Sequence, residues 1–438
     1  MSSMVGSTRS SPPVSDLKSG ISNLKSEISN LKSEISDSKS PVSPPSPPRH
    51  PDALPPAIIL GGGANAVSVA RQIGRLGAAV YALSEPGTFV RHSRFCRPVD
   101  AGCDAAAWES FLLGKRSDHL RGAVLLACSD AGIELIAARR DALAERFLLD
   151  DSEPRAQLMM LNKLSTYRAA AAAGVPTPRF WVAESVADLQ RVKDELVFPL
   201  VVKPRLSHVF EAKTGKKLLQ VENREQVAAA VAAVADTGTA SVLMEKIPGP
   251  DDRLCSYYTW LDEDSRPAFH FTKRVIRRYP LMTGTACYHV TDWIPEAAEL
   301  ANRLFRHVGL RGLANVEFKR DDRDGQLKLI ECNARFTASD CLVAASGINL
   351  AAFVYSRLVG LPPPKTDHFR TGLRLWDPLR DFQAHLALRR CGQQTTRQWL
   401  AGVCHRQTFP YFQWTDPLPA LARFTAPARR KLFPRFQI

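Results

Sequence analysis

No two of the nine cysteines stand in a CxxC pair, and an odd number spread from Cys96 to Cys404 makes no disulfide framework. A reducing compartment follows, with most thiols read as small core residues and no zinc-ligand spacing among them. Long apolar runs are missing too: GAVLLAC at 122–128 is far short of a membrane span. No N-terminal stretch joins a basic start to an apolar segment and a small-residue cleavage site, so a soluble, cytoplasmic protein with no membrane partner is expected. Also lacking is any Ser, His, Asp or Cys, His arrangement for nucleophilic catalysis, and His208, His270 and His289 read as structural.

What is present is a large apolar content, 45% of 438 residues, enough for two or three domains. The charge is uneven. Residues 366–438 hold twelve Lys or Arg against four Asp, which is +8 of the chain's +14. Such a segment would suit nucleic acid, an anionic membrane or an anionic substrate, yet no nucleic-acid module accompanies it, and a solvated basic surface with no nucleic-acid partner is the favoured reading.

Residues 1–55 are rich in Ser, Pro and Lys and supply little apolar area to offset the entropy of ordering, so this arm reads as disordered. Within it, Ile21, Leu24, Ile28, Leu31 and Ile35 alternate spacings of three and four, a short coiled-coil seam that leaves a homo-oligomer open beside a low-complexity leader. From Ala57 the texture changes. AIIL, GGGAN and AVSVARQIGRLG read as strand, tight turn and amphipathic helix; strands at AAVYALS and AVLLACS and a helix over 131–144 extend a βαβ pattern. The turn reads Gly61-x-Gly63-x-x-Ala66, with Glu85 a little over twenty residues on, a weak dinucleotide fingerprint.

A second texture begins near Gln157: a helix stopped by Gly174, a buried strand FPLVVKPR, a strand ASVLMEKIPG, antiparallel strands over 256–290 and an amphipathic helix over 294–310. LANVEFKRD and QLKLIECNARF then form two strands joined at DRDG. Side chains alternate along a strand, so Glu331, Asn333 and Arg335 share one face, and a hairpin brings Glu317 beside Glu331. Two adjacent carboxylates repel unless a cation lies between them, and two Glu with an Asn suit Mg²⁺. In isolation the hairpin also fits a solvated face with ordinary charge pairs. Upstream, Lys163, Lys203 and Lys246 offer cations for phosphates, while the strand edge at EKIPGPDD offers backbone groups for a base and Asp252 for ribose hydroxyls.

These motifs in this order, NK at 162–163, VVKP at 201–204, EKIPG at 245–249, NVEF at 315–318 and IECNAR at 330–335, resemble the ATP-grasp superfamily over roughly residues 57–362. Within it the chain looks most similar to the D-aspartate ligase and carboxylate-amine ligase group. The resemblance implies a mixed α/β and α+β fold. Its parts are a disordered arm (1–55), a Rossmann-like pre-ATP-grasp domain (56–152), a two-subdomain ATP-grasp domain (153–364) and a basic C-terminal extension (365–438). It implies Lys163 and Lys203 on the phosphates of ATP, Glu245 with the Lys246 and Ile247 backbone at adenine, and Asp252 at ribose. Glu317, Glu331 and Asn333 would bind Mg²⁺, with Mn²⁺ as an alternative. Arg335 would hold the transferring phosphoryl group, and Arg274 and Arg277 would present cations to the reaction centre. One departure stands out: where the family has a Gly and Ser rich flap, this chain has RLSHVFEAKTGKKLLQV, so Ser207, Lys213, Lys216 or Lys217 would close over the phosphates instead.

The function implied is ATP-dependent joining of a small-molecule carboxylate to an amine through an acyl phosphate, with release of ADP and phosphate. Three rivals stay open: a nucleotide-binding regulator or scaffold without turnover, an NAD-dependent oxidoreductase using GGGAN and Glu85, and an ATP-grasp carboxylase, although nothing in the sequence suggests a biotin partner. Residues 84–94, Ser129 and Asp130 are candidate substrate contacts from their loop positions; Arg91 and Arg94 there could bind a carboxylate, with a solvated position the favoured reading for both.

Overall fold

The computed structural model describes residues 54–183, 187–204, 210, 213–215, 218–238 and 240–432, with side chains to Ala426. The heptads, nearly all of the arm, and Ser207, His208, Lys216 and Lys217 lie outside the described residues. Three sheets organise the rest. Strands β1 (Ala57–Leu60), β2 (Val80–Leu83), β3 (Arg97–Val99), β4 (Val124–Ala127) and β5 (Leu148–Leu149) form a parallel sheet in the order β3-β2-β1-β4-β5. Every side chain of β1 is buried, as a strand covered on both faces requires.

The glycine turn after β1 is shaped by the protein's own side chains. Gly61 (φ +68°) and Gly62 (φ +93°) take left-handed backbone, and a Cβ on them would lie 2.4 Å from Ser129 Oγ and 2.6 Å from Cys128 Cβ. Asn65, two residues on, donates from Nδ2 to the carbonyls of Cys128 (2.7 Å) and Phe336 (2.8 Å). The turn thus packs on the end of β4 and ties it to the chain just beyond the IECNAR motif.

Strands β6 (Phe180–Ala183), β7 (Leu200–Pro204), β8 (Leu219–Val221) and β9 (Ser241–Glu245) form a small antiparallel sheet in the order β6-β9-β7-β8. Helix Arg224–Ala235 covers it, with Val227, Val231 and Val234 packed on Leu200, Val202 and Leu243. The helix expected before it is Lys163–Ala172, and a second one, Pro154–Leu161, precedes it; Asn162 between them leaves helical backbone and caps Leu164 and Ser165 through its side chain.

The largest sheet holds β10 (Leu254–Leu261), β11 (Phe271–Tyr279), β12 (Thr285–Thr291), β13 (Gly312–Arg320), β14 (Leu327–Asn333), β15 (Arg374–Trp376) and β16 (Gln407–Thr408), in the order β14-β13-β10-β11-β12-β15-β16. Helix Pro295–Val308, Pro at its first turn and Gly309 (φ +65°) beyond its end, lays Leu300, Leu304 and Phe305 on the face carrying Ala314, Val316 and Phe318. Leu313, on the alternate face, joins the apolar cluster of helices Asp340–Ser346 and Leu350–Leu358. Among the described residues no single helix is long and apolar enough to cross a membrane; this last bent pair is apolar enough together, but it is packed in the core.

The basic segment after residue 365 is more than a solvated surface. It supplies β15 and β16, and it returns to the first sheet through a buried ion pair: Arg71 Nε donates to Asp416 Oδ2 at 2.8 Å, both side chains 1% exposed. Ser93 Oγ and the Arg94 backbone N–H donate to the same carboxylate, at 2.7 and 2.9 Å. Burying two charges is repaid only while both remain, and loss of one leaves the other stranded. Asp416→Ala is therefore expected to destabilise the fold by about 3–5 kcal/mol, read as a lower urea midpoint, whereas Arg71→Met with Asp416→Leu recovers most of the loss.

Candidate active site

The β13–β14 pair opposes Asn315 to Asn333 and Glu317 to Glu331, and the register slips by one residue immediately afterwards, so that Phe318 faces Leu329. This bulge at Ile330 lets the acidic end of β14 turn independently of the apolar end. The Ile330 carbonyl is taken up by the Tyr167 hydroxyl at 2.8 Å, fixing the bulge to helix Lys163–Ala172. Asn333 Nδ2 donates to Asn315 Oδ1 and Glu331 Oε1, each at 3.4 Å. The row continues across the sheet, because Ser256 opposes Glu317 on β10 and Lys273 opposes Ser256 on β11. Lys273 is 2% exposed and donates to Ser256 Oγ at 3.1 Å, with His289 Nδ1 at 3.3 Å.

The two carboxylates are half-buried and shift in opposite directions. Burial, and then Glu331, pushes the Glu317 carboxyl above its ordinary range, against Lys273, Arg278 and Arg335. Burial also works to raise Glu331, but Lys163 and Lys203, then the Asn333 hydrogen bond and Arg335, bring it below the usual glutamate. Lys203 in turn is pushed down to about 8, by burial first and by Lys163 and Arg278 after it, while Glu331 and Glu317 pull the other way. Residues from four separate stretches, 163, 203, 273–278 and 317–335, therefore share one electrostatic site. Lys203 lies near the end of β7 and reaches the acid pair from the small sheet, whereas Lys163 begins a helix that packs on β14 itself.

Arg335 is held from outside this group. Its Nε donates to the carboxylate of Asp130, first residue of helix Asp130–Ala138, and although burial opposes its charge, Asp130 and Glu331 raise it above the ordinary guanidinium. Arg274 and Arg277 do not join the cluster. Arg274 is exposed and pairs with Asp292 at 2.7 Å; Arg277 is buried in a two-pronged pair with Asp381, at 2.6 and 2.9 Å. Strand alternation turns Arg274 from the face of Lys273, and two register shifts between Val275 and Arg278 reassign the rest. Arg278 is the arginine of this strand that acts on Glu317 and Lys203, with its Nε on Asp251 at 2.7 Å. Lys273 and Arg278 are the residues that sequence reasoning missed; the pairing of β11 with β10 was the signal that would have found Lys273.

The EKIPG segment is built differently from a bare strand edge. Glu245 is 3% exposed, accepts from the Arg179 backbone N–H at 3.2 Å and from Arg323, and lines a cleft of about 530 Å³ with Gly174, Thr177 and Lys328. The Lys246 N–H donates to the Pro199 carbonyl at 3.0 Å, and Ile247 is buried. Lys319, pushed down to about 8 by burial, donates to the carbonyls of Ile247 (2.9 Å) and Gly249 (2.6 Å), joining this segment to β13. Asp252 is exposed, in a turn whose neighbour Asp251 receives Arg278. Lys213 donates to the Thr237 carbonyl at 3.1 Å. Of the loop residues expected at substrate, Arg91 pairs with Asp100, Arg94 lies against Thr415, Ser129 caps Gly132 at 3.1 Å, and Asp130 alone reaches the cluster, through Arg335. His270 accepts or donates with the Tyr257 hydroxyl at 2.8 Å, and burial holds His270 and His289 below the ordinary imidazole.

Among the described residues no three His, Cys, Asp or Glu side chains gather into a metal cage. The donor set is two opposed carboxylates and an amide, too few for a dedicated cage and suited to a hard cation whose other ligands are water and phosphate oxygens. Burial first, and Glu331 after it, disfavour the charged form of Glu317, and a cation held between the two acids would favour it.

Residues 273–377 match the family described as "ATP-grasp in the biosynthetic pathway with Ter operon". The chain is 28% identical over 255 residues to D-aspartate ligase of Enterococcus faecium (strain Aus0004), covering 54% of this chain and 59% of the relative. It is also 28% identical over 216 residues to D-alanine–D-alanine ligase of Stutzerimonas stutzeri (strain A1501), covering 47% and 64%. The matches thus span less than two thirds of either curated relative. Among solved structures, N5-carboxyaminoimidazole synthetase from Staphylococcus aureus complexed with ADP superposes with TM-score 0.57 at 15% identity, covering 74% of this chain and 81% of that one.

Because Glu317 repels Glu331, Glu317→Gln is expected to raise the melting temperature of the metal-free chain at neutral pH, by roughly 2–4 °C. A carboxyl raised on folding contributes stability at low pH and loses it as pH climbs through its folded value, so the gain should shrink toward pH about 4; calorimetry across that range checks both signs.

Proposed function

We propose that this chain, which has the ATP-grasp fold and is similar to D-aspartate ligase, joins a small-molecule carboxylate to an amine at the expense of ATP, releasing ADP and phosphate. One observation carries the reading: Glu317 and Glu331 stand opposite each other with Lys163, Lys203 and Arg335 close enough to shift their proton affinities. A carboxylate is a poor acyl donor because its leaving group is an oxide. Transfer of the γ-phosphoryl group of ATP to one carboxylate oxygen gives an acyl phosphate; attack by the amine on the acyl carbon then expels phosphate and leaves an amide.

The residues at hand supply position and charge, which is most of what such a reaction asks of a protein. Lys163 and Lys203 neutralise phosphate oxygens. Arg335, steadied by Asp130, faces the acid pair and holds the transferring group. Arg278 and Lys273 balance Glu317 from β11. Glu245, the Lys246 and Ile247 backbone, and Asp252 are assigned to the nucleoside. Mg²⁺, or Mn²⁺ in its place, fits Glu317, Glu331 and Asn333 and when bound supplies the positive charge that the acid pair lacks and draws phosphate oxygens to it. The D-amino acids in the names of the two ligase relatives favour an amino acid as at least one of the two substrates.

ADP and phosphate release, measured over a panel of carboxylates and amines, tests the reading. Glu331→Gln is expected to keep the fold and lower turnover by about 100-fold or more; an unchanged rate rejects the site. ATP binding with no ADP release for any pair would favour a nucleotide-binding regulator. A second outcome concerns pH. Protonated Lys203 attracts phosphate, and its amine is set to about 8, so ATP affinity should hold below that pH and fall above it. In Lys203→Arg the fall should vanish, because a guanidinium keeps its charge.

A further inference from the structure

The six most exposed large apolar side chains among the described residues all lie between positions 382 and 424: Trp414 (89%), Leu421 (58%), Phe424 (55%), Leu418 (53%), Leu400 (50%) and Phe382 (49%). Leu418, Leu421 and Phe424 recur at three-residue spacing on helix Leu418–Leu432, and helix Thr396–Val403, which carries Leu400, buries none of its residues. The elements that carry them are tied together. Phe382 meets Trp399 ring to ring at 5.9 Å, and Arg423 pairs with Asp377 at the start of helix Pro378–Arg390. Apolar side chains left in water at this density mark a contact surface.

The charge around them says what kind. Residues 366–438 contain no Glu, and three of their four Asp are withdrawn into ion pairs, Asp377 with Arg423, Asp381 with Arg277 and Asp416 with Arg71. Arg389, Arg390, Arg397 and Arg406 remain exposed. The outer surface of this segment is therefore apolar and cationic with almost no acid left on it. A second copy would bring like charge against like charge. Trp414 protrudes, offering a side chain for insertion instead of a pocket for another molecule's. Amphipathic helices with Trp, Phe and Leu on one side and Arg beside them rest in the boundary layer of negatively charged bilayers.

We infer that this C-terminal face seats the protein on an anionic lipid surface. A surface contact needs no membrane-spanning segment, so the absence of long apolar runs does not bear on it; the inference departs here from the expectation of no membrane partner. The inference does not depend on the ligase reading.

The full chain is to be sedimented with vesicles of phosphatidylcholine, with and without about one third phosphatidylglycerol. Binding to the anionic vesicles alone is expected, weakened by salt. Trp414→Ser with Leu421→Ser and Phe424→Ser should lower it by roughly tenfold or more, with circular dichroism and ATP affinity unchanged. Arg389→Glu with Arg390→Glu and Arg397→Glu should do the same without touching the apolar face. No binding to either vesicle, equal binding to both, or full binding by both variants overturns the inference. So does light scattering that shows the parent as a dimer and the serine variant as a monomer, which would make the face a self-interface.

Discussion

Everything at the candidate site follows from setting two carboxylates against each other across one pair of antiparallel strands. Glu317 and Glu331 are half-buried, so neither can be screened fully by water, and their repulsion has to be balanced by charges that the fold brings in. The cations arrive from three directions: Lys163 and Lys203 from the small sheet and its preceding helix, Lys273 and Arg278 from β11, Arg335 from the end of β14. An acid pair of this kind costs stability when nothing lies between its members. In the proposed reaction a hard cation held between them, with phosphate oxygens among its other ligands, would offset that cost.

The rest of the large sheet protects this arrangement. Tyr167 fixes the bulge beside Glu331, Lys319 fastens the carbonyls of Ile247 and Gly249 to β13, and Asn65 joins the first parallel sheet to Phe336, one residue beyond Arg335. Each bond spans a gap between elements that carry site residues. The C-terminal segment extends the same logic to the periphery. Asp381 takes Arg277, with the indoles of Trp376 and Trp399 both donating to it at 2.9 Å, and Asp416 takes Arg71. Acids spent on holding the segment in place are acids missing from its surface, which leaves that surface cationic.

Much of the fold was legible in advance because its signals are local. Period-two alternation in NVEFK and IECNAR placed the acid pair on one face, and the three-to-four spacing of Ala297, Leu300 and Leu304 gave the helix over Pro295–Val308. The GGGAN turn was readable as a strand-to-helix junction, though not that Ser129 and Cys128 would press against its glycines. What misled was parity. In KRVIRRYP the four cations look equivalent, and two register shifts decide that Lys273 and Arg278 face the acids while Arg274 turns to Asp292 and Arg277 to Asp381. A bulge leaves little trace in composition, since it is set by how a neighbouring strand packs.

The sequence by itself determined which elements form and which chemical groups are carried on each strand face, because turn glycines, helix caps and side-chain alternation act over a few residues. Only the tertiary structure decided which charges meet. Lys203 and Glu331 are 128 positions apart and Arg71 and Asp416 are 345 apart, and no local preference can pair residues whose approach depends on the order of strands in a sheet and on the segment that closes over it. The same reason governs the C-terminal face: the sequence contains its acids and its arginines alike, and only packing determines that three of its four acids are drawn into ion pairs while Arg389, Arg390, Arg397 and Arg406 stay exposed.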